Sequence, residues 1–437
     1  MVSTTSSSPS HNQREQTLPS VSTIQSKKRS LLASTVGNLL EWYEWSAYAV
    51  FAPFIAKAMF DSSDPVSALL STLAVFAVGF LVRPLGGVVF GRIADRKGRK
   101  FVLITTMLMM AGGSLAIGIM PTYAAVGAWA SVLLLLIRVV QGFAHGGESA
   151  TANSYISELA PPNRRGLWGS IVFMAIFGGS VIAYTVGGTV TSVLSDSAVA
   201  SWGWRVPFLI GAVFAIVVLY LRRNMEESEV FSHKAEDSVK VPTRGIARKI
   251  ILLVAMISGI TVAHYTWSSY VSTYAITQQG MNASSAFWIT VVAQLIALVT
   301  LPFWGILSDR IGRRPVMIGF AITMFLIAIP LKEMITDEPW TLLVASTIAL
   351  VVVAAAGSIL AATMAESFPT KVRTQGIGFA YSFAVAAFGG SAPYLNALFI
   401  ERGLGWVSSA YIMFLCACTF VACLIMKETK GIDLRDA

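Results

Sequence analysis

The sequence predicts an all-α integral membrane protein of twelve transmembrane helices, on three observations. Of its 437 residues, 55% are hydrophobic and only 13% are charged, whereas a soluble chain carries about 25% charged residues. Apolar runs of roughly 20 residues, each long enough to cross a hydrocarbon core of about 30 Å, recur from Leu31 to Met426. Because lipid cannot hydrogen-bond the backbone, these runs must be helices.

Short polar segments separate the apolar runs and set the boundaries of the predicted spans. We place the spans at residues 31–58, 67–91, 101–121, 127–154, 167–190, 206–222, 249–276, 284–307, 315–335, 340–364, 374–398 and 405–426. Residues 1–30 are rich in Ser and Thr and lack an apolar core, which predicts a disordered cytosolic tail rather than a cleavable signal peptide. Residues 223–248 are predicted to be a cytosolic linker and residues 427–437 a second cytosolic tail.

Positive charge predicts the orientation of the chain. About 26 of the 32 lysines and arginines fall on the side that holds both termini, which the positive-inside rule places in the cytoplasm. The opposite loops hold only Lys57, Arg205, Lys332 and Arg402. The net charge of +9 therefore reflects topology and not nucleic-acid binding, since the basic residues form no continuous patch.

An internal duplication divides the chain. The segment GRIADRKGRK at residues 91–100 returns as GILSDRIGRR at residues 305–314, and ELAP at 158–161 is echoed by ESFP at 366–369. Two copies in register predict two pseudo-symmetric six-helix halves. Parallel halves of this kind place a substrate site at their interface, near the middle of the membrane. The N-terminal bundle is predicted over residues 31–222 and the C-terminal bundle over residues 249–426.

These repeated loops resemble the signature loop of the major facilitator superfamily, over about residues 30 to 430. Three further segments resemble the metabolite:proton symporters within it: GNLLEWYE at 37–44, RPLGG at 83–87, and RVVQG at 138–142 followed by GGE at 146–148. That family includes permeases for 2-oxoglutarate, shikimate and citrate, and carriers of proline and betaine. The resemblance implies the major facilitator fold and proton-coupled symport by alternating access. Two positions depart from the family pattern: Glu44, where Asp is commoner, and His145.

Five charged residues lie deep within the predicted spans, all in the N-terminal half. Such charges are costly in a membrane and need a partner or an aqueous cavity, so each is a functional candidate. They are Glu41, Glu44, Arg83, Arg138 and Glu148. The C-terminal half offers neutral polar and aromatic groups, which predicts that charge and proton chemistry lie in the first half and shape recognition in the second.

Helical spacing groups these residues into two stripes. Asn38, Glu41, Glu44 and Tyr48 share one broad face of the first span, and Arg138, Gln141, His145 and Glu148 share one face of the fourth. Because Glu41 and Arg138 lie at similar depth, we predict that they pair. In the functional interpretation Arg138 holds a substrate carboxylate and Glu41 or Glu44 carries the proton. In the structural one the pair only orients the two helices.

Arg83 and His145 each have two possible roles. Arg83 could bind substrate, but a static pair with Glu148 is favoured because the two residues lie level in the membrane. His145 could lie on the proton path or simply line the cavity. The predicted substrate-binding residues are Arg138, Arg83, Tyr48, Gln141, Tyr270 and Tyr381, and the predicted proton-coupling residues are Glu41, Glu44, Glu148 and His145.

The repeated cytosolic motifs are predicted to gate the transporter, a role that the family resemblance implies. The alternative is that they only determine topology. The predicted gating residues are Asp95, Arg96, Arg99, Glu158, Arg165, Asp309, Arg310, Arg313, Glu366 and Arg373.

Other functions are disfavoured. The sequence has no HExxH, Walker or GxSxG motif, so we predict neither an enzyme nor ATP drive within this chain. A twofold duplication with gate motifs also differs from the pore loops of a channel. No cofactor or metal is predicted, since the three cysteines cluster in one apolar run.

The sequence therefore predicts a proton-coupled symporter that imports a small organic acid, such as the dicarboxylate 2-oxoglutarate. Uptake of a zwitterionic osmolyte, proline or betaine, is the alternative. The protein is predicted to lie in the cell's inner or plasma membrane and to function as a monomer. Its predicted partners are its small-molecule substrate, protons and the lipid bilayer, with no nucleic acid.

Overall fold

The computed structural model describes residues 21–97, 99–223, 246–368 and 373–432. Within these ranges, the description of side chains leaves out residues 21–34, 94–95, 99–100, 147–159, 221–223, 246 and 373–375. The predictions for residues 1–20, 224–245 and 433–437 concern residues outside those that the structure describes.

Twelve membrane helices run through the described ranges, with no strand among them. The first six are α1 (Val21–Val50, continued by Ala52–Met59), α2 (Pro65–Leu81, continued by Arg83–Lys97), α3 (Arg99–Ile119), α4 (Trp129–Leu159), α5 (Arg165–Val193) and α6 (Val206–Arg223). The next six are α7 (Ile246–Tyr265, Thr266–Tyr270, Val271–Gln278), α8 (Ala283–Ile311), α9 (Arg313–Glu333), α10 (Pro339–Ser367), α11 (Arg373–Ala384, Val385–Gly390, Ala392–Glu401) and α12 (Gly405–Ile425).

The predicted all-α membrane architecture is confirmed. Eleven helices of the described chain, α2 to α12, are long and apolar enough to cross a membrane. α1 is less apolar because Asn38, Glu41 and Glu44 lie within it. α1 begins at Val21, so part of the predicted 1–30 tail is helical.

Local sequence explains where several helices begin. The Asp64 carboxylate accepts from the backbone N–H of Val66 and Ser67 at the start of α2, and Pro65 occupies the first turn. Asn282 caps α8 through the N–H of Ser285. Gly312, with a φ of 106°, makes the sharp turn between α8 and α9 that favours glycine.

Glycines bring α2 and α4 into backbone contact. A Cβ on Gly86 would lie 1.9 Å from the carbonyl oxygen of Phe143, and one on Gly142 would lie 1.9 Å from that of Gly79. Gly146 is equally close to the carbonyl oxygen of Arg83. Small residues let the two helices pack closely, and this packing sets Arg83 beside the stripe of α4 that holds His145.

The two halves touch at both ends of α5. At one end, a Cβ on Gly166 would lie 2.6 Å from the carbonyl oxygen of Gly305 in α8. At the other end, a Cβ on Gly188 would lie 2.8 Å from the ring of Trp288, also in α8. α5 and α8 therefore pack along their full length, and the carrier is closed towards both sides along this pair.

Four helices at the interface between the halves are interrupted. α1 breaks at Phe51 and α2 at Val82, while α7 and α11 each contain a π-helical turn, Thr266–Tyr270 and Val385–Gly390. A π turn is rare and is often found at a functional site. These interruptions surround the buried polar groups described next.

Candidate functional site

Two small cavities lie between the halves, each with room for about one water molecule. Both are lined by residues of the N-terminal and the C-terminal half, and Trp42, Ile176, His264 and Tyr265 line both. The first is completed by Trp45, Ser46, Phe76, Ser180, Ser268 and Ser269. The second is completed by Phe173, Ile260, Thr261, Leu360, Tyr381 and Val385. Neither can admit an organic acid without opening, so this is an occluded arrangement.

Glu44 belongs to a polar cluster inside the N-terminal half. Its Oε2 accepts hydrogen bonds from Ser114 Oγ of α3 and, at 3.2 Å, from Gln141 Nε2 of α4. Its Oε1 has no hydrogen-bond partner among the described residues and faces Gly211 of α6. Arg138 Nη1 in turn donates to Gln141 Oε1 at 2.9 Å. Gln141 thus links the carboxylate to the guanidinium.

Arg138 is completely buried, with 0% of its surface exposed. Its guanidinium carbon lies 3.9 Å from the centre of the Tyr48 ring and 4.5 Å from that of Trp45. Its Nε and Nη2 have no hydrogen-bond partner among the described residues. The predicted pair of Glu41 and Arg138 is wrong, because the structure links Arg138 through Gln141 to Glu44, while Glu41 contacts His145.

Arg83 lies at the boundary between the halves. Its guanidinium carbon lies 3.5 Å from the centre of the Phe80 ring and 4.3 Å from that of Trp45. Tyr265 of α7 and Tyr381 of α11 are its electrostatic neighbours from the other half. Nε and Nη2 of Arg83 have no hydrogen-bond partner among the described residues. The Glu148 side chain lies outside the description, so the Arg83–Glu148 pair stays a prediction.

Glu41 faces a different neighbour from Glu44. One of its carboxylate oxygens contacts Nδ1 of His145 in α4. The indole Nε1 of Trp45 donates to the same imidazole nitrogen at 3.0 Å. The two acids of α1 therefore point towards different groups, although spacing placed them on one broad face.

The C-terminal half contributes hydroxyl groups and aromatic rings to the site, and one hydrogen bond ties it to α5 of the N-terminal half. Tyr184 of α5 donates to the carbonyl oxygen of Ser268 at 2.9 Å, which ties α5 to the π turn of α7. Tyr381 lines a cavity, as the prediction of substrate contact requires, but Tyr270 packs against Ala52 and Leu73 away from both cavities. Sequence analysis missed Tyr265, which lines both cavities.

A second buried charge cluster joins the halves at the predicted cytosolic end. Asp309 accepts from the backbone N–H of Gly166 at 2.8 Å and of Leu167 at 3.0 Å, which caps α5 from the opposite half. Arg313 Nη1 donates to Asp309 at 2.7 Å, and its Nε and Nη2 donate to Glu366, each at 3.2 Å. Arg165 Nη1 lies 3.6 Å from Glu366. We call Arg165, Asp309, Arg313 and Glu366 the gate cluster.

Of the six other predicted gating residues, two have described side chains and four do not. Arg96 and Arg310 are exposed and lie outside the gate cluster. The side chains of Asp95, Arg99, Glu158 and Arg373 are outside the description, so their roles stay predictions. The gate cluster therefore combines three residues of the C-terminal half with Arg165 of the N-terminal half, and its role as a gate stays a prediction.

The segment after α12 also joins the gate cluster, which sequence analysis did not foresee. Glu428 accepts from the backbone N–H of Arg313 at 2.8 Å and of Arg314 at 2.9 Å, and Thr429 Oγ1 donates to Glu366 at 2.8 Å. Burial opposes ionisation of Glu428, but its backbone N–H donors outweigh it and hold the pKa of this carboxyl below its ordinary value. No cluster of His, Cys, Asp and Glu suited to a metal is present among the described residues.

Two six-helix bundles that enclose a buried polar core and are latched at one end define a membrane transporter. The profile of the family "Sugar (and other) transporter" matches residues 30–243, and that of "Major Facilitator Superfamily" matches residues 278–433. The chain is 34% identical to the alpha-ketoglutarate permease of Escherichia coli over 415 residues, covering 93% of this chain and 95% of the relative. It therefore belongs to the major facilitator superfamily and is a transporter, not an enzyme.

Other relatives carry different substrates in their names. The chain is 34% identical to the ectoine/proline transporter ProP of Corynebacterium glutamicum, over 96% of this chain and 88% of the relative. It is 31% identical to the citrate-proton symporter of Klebsiella pneumoniae, over 93% and 94%. Its fold matches the proton:xylose symporter XylE of E. coli with a TM-score of 0.73 at 19% identity, over 94% of this chain and 98% of XylE. The predicted resemblance to organic-acid and osmolyte permeases is confirmed.

Proposed function

We propose that this transporter is a proton-coupled symporter that imports a small organic acid by alternating access. The observation that carries the proposal is a pair of buried arginines, Arg83 and Arg138, each with Nε and Nη2 unpaired within the described chain. A buried donor without a partner costs about 1–3 kcal/mol. Donors of this kind suit a ligand that arrives during the transport cycle.

The placement of the two guanidiniums favours a dicarboxylate. Both guanidinium carbons lie within 4.5 Å of the centre of the Trp45 ring. Arginine binds carboxylates through paired N–H donors, so two arginines near one another can hold the two ends of a short diacid. The identity with the alpha-ketoglutarate permease supports 2-oxoglutarate as the first substrate to test.

The buried acids of α1 supply the proton coupling in this proposal. Gln141 joins Glu44 to Arg138, so the two charges balance in the closed carrier. A substrate carboxylate that binds Arg138 takes over that balance, and a proton on Glu44 then restores it. The name of the citrate-proton symporter supports the same driving ion.

A zwitterion such as proline or betaine is the second candidate. Trp42, Trp45, Phe76 and Tyr265 line the first cavity, and aromatic faces bind ammonium groups through cation–π attraction. One arginine would then bind the carboxylate while the rings receive the cationic end. The ectoine/proline transporter supports this alternative.

We further propose that the gate cluster is the inner gate, and that the carrier works as a monomer in the cell's inner membrane. In the closed carrier the cluster bridges α5 to α8 and α10. Opening to the cytoplasm must break these contacts. The predicted cytoplasmic orientation of the termini fits this role.

Uptake into proteoliposomes tests the proposal. A panel of 2-oxoglutarate, citrate, shikimate, an aromatic acid, proline and betaine would be offered with and without an inward proton gradient. We expect 2-oxoglutarate or citrate to accumulate only with the gradient. Uptake that ignores a protonophore, or requires sodium at fixed pH, contradicts proton coupling, and accumulation of proline or betaine alone selects the second candidate.

A further inference from the structure

We infer that Trp45 is a positioning residue that fixes the tautomer of His145, so that the occluded carrier holds a proton on Glu41 at this imidazole. The inference rests on the proposed function, because a proton stored in the closed carrier matters only if protons are transported. It adds to that proposal a residue and a defined atom at which the proton is held.

The indole of Trp45 determines which form of the His145 ring is present. An indole N–H can only donate a hydrogen bond, so the contact of 3.0 Å between Trp45 Nε1 and His145 Nδ1 requires Nδ1 to accept. A nitrogen that accepts carries no hydrogen. His145 is therefore neutral in this arrangement, with its hydrogen on Nε2.

The same ring nitrogen determines whether the carboxyl group of Glu41 is protonated. An oxygen of Glu41 contacts the same Nδ1. An ionised carboxylate is an acceptor only, and it would meet the lone pair of an acceptor nitrogen. A protonated carboxyl group instead directs its O–H at that nitrogen and shares the nitrogen's single lone pair with the indole N–H of Trp45. The contact is attractive only when Glu41 carries the proton.

Packing keeps Trp45 in this position. Its ring meets His145 edge to face with the ring centres 5.6 Å apart, and Phe80 packs on it at 4.5 Å. The guanidiniums of Arg83 and Arg138 lie over the same ring. Trp45 is only 1% exposed, so it has little freedom to release the imidazole while the carrier is closed.

Other charged and titratable groups surround the pair. Arg83 of α2, Tyr265 of α7 and Tyr381 of α11 lie within electrostatic reach of Glu41. Arg83 is the one positive charge among these three, and its guanidinium stacks on Phe80 and Trp45. When a substrate anion neutralises Arg83, a neutral Glu41 leaves the site without an excess negative charge.

The test follows the protonated carboxyl group directly in purified full-length protein. Infrared difference spectra over a pH titration would show the carbonyl band of a buried protonated acid, and Glu41→Gln should remove that band. Trp45→Phe keeps a ring but removes the N–H, so that Nδ1–H of His145 can donate to an ionised Glu41. We expect the band to vanish at a pH about one unit lower than in the native protein. A shift of this size corresponds to the free energy that one hydrogen bond contributes.

Trp42→Phe is the matched control. Trp42 also meets His145 edge to face, with the ring centres 6.0 Å apart, but its indole does not donate to that imidazole. The control should leave the pH midpoint of the band unchanged. A band that survives Glu41→Gln, or equal midpoints in Trp45→Phe and the native protein, overturns the inference.

A second measurement uses the native protein, in case Trp45→Phe does not fold. Nitrogen-15 spectra of labelled histidine, assigned by a variant that lacks His145, report its tautomer. We expect the neutral form protonated at Nε2, and a cationic ring or a hydrogen on Nδ1 contradicts the inference. Neither readout needs a substrate. If the uptake panel gives no transport while the band behaves as expected, the proposed function fails and this inference stands.

Discussion

Three buried arginines in two regions of the molecule contrast sharply. Arg313 in the gate cluster and Arg138 in the central site are exposed by only 2% and 0%. Every side-chain nitrogen of Arg313 donates, to Ser308, Asp309 or Glu366. Arg138 donates only from Nη1, to Gln141, and Arg83 likewise has unpaired donors within the described chain.

The contrast separates a latch from a binding site. A buried charge whose donors are all paired stabilises one conformation and gains nothing from a ligand. A buried charge with unpaired donors destabilises the empty closed state and is compensated by whatever supplies the missing acceptor. The contrast supports the proposed roles, in which the gate cluster would hold the carrier closed and the central arginines would bind the substrate.

We expect the largest effect from a variant that breaks the link between Arg138 and the proton. Glu44→Gln imitates the protonated carboxyl group, so we expect it to abolish accumulation against a gradient while exchange of labelled for unlabelled substrate continues. Glu41→Gln should behave alike if Glu41 also carries a transported proton. Both modes are measured in proteoliposomes, with the exposed Glu338→Gln as control. If both variants still accumulate substrate, α1 does not carry the transported proton, and Glu148 becomes the leading candidate.

The next effect tests the latch. Glu366→Gln removes the buried anion that Arg165 and Arg313 share and leaves Arg313 paired only with Asp309, and breaking a buried pair costs about 3–5 kcal/mol. We expect a lower thermal unfolding midpoint and greater accessibility of the site from the cytoplasmic side. The exposed Glu401→Gln is the matched control. An unchanged midpoint and accessibility would show that the cluster does not hold the halves together.

The central arginines should respond through transport and not through stability. Arg138→Lys and Arg83→Lys keep the charge but lose the two parallel N–H donors of the guanidinium, so we expect initial uptake rates to fall by about 10- to 100-fold. The unfolding midpoint should change little, because the donors concerned are unpaired in the closed carrier. Arg402→Lys, an exposed substitution, should leave uptake unaltered. Lost stability with normal uptake would reverse the assignment of the two regions.

A smaller effect probes the close approach of the halves. A Cβ on Gly166 would lie 2.6 Å from the carbonyl oxygen of Gly305 and 2.9 Å from Asp309. We expect Gly166→Ala to destabilise the closed carrier by about 1–3 kcal/mol. Gly319→Ala in α9 meets no atom within 4 Å, and as a helix substitution it should be neutral or slightly stabilising. Equal unfolding midpoints for the two variants would contradict the packing.

The smallest effect concerns Glu428 and depends on pH. Because the pKa of Glu428 is lower when folded than when unfolded, its stabilisation is present above the unfolded value of about 4.3 and is lost as the pH falls through the folded value. Glu428→Gln should therefore lower the unfolding midpoint slightly at pH 7, and the difference should shrink below about pH 4. A difference independent of pH would mean that its charge is not what holds the tail.

Sequence predicted the architecture well because hydropathy and the repeated loops record it directly. It failed for Glu41 and Arg138 because the argument used depth alone. Residues three apart on a helix differ by about 60° in direction, and this rotation sends Glu41 to His145 and Glu44 to Gln141.

Tyr270 was predicted to contact substrate, and its position away from both cavities has a related cause. It is the last residue of the π turn Thr266–Tyr270, which changes the phase of α7 at this point. Side-chain direction past such a turn cannot be counted from an α-helical period. The roles assigned to the site residues remain predictions, although the structure brings Glu41, Glu44, Arg83, Arg138, Gln141 and His145 to the same core.

The π turns of α7 and α11 have an evolutionary consequence. A π turn amounts to one residue inserted into an α-helix, which rotates everything beyond it by about 100°. Removing a single codon from either turn would present a new set of side chains to the cavity while the hydrogen-bonded helix persists on both sides. A change of one residue in the length of either turn would therefore alter which side chains face the cavity without any substitution.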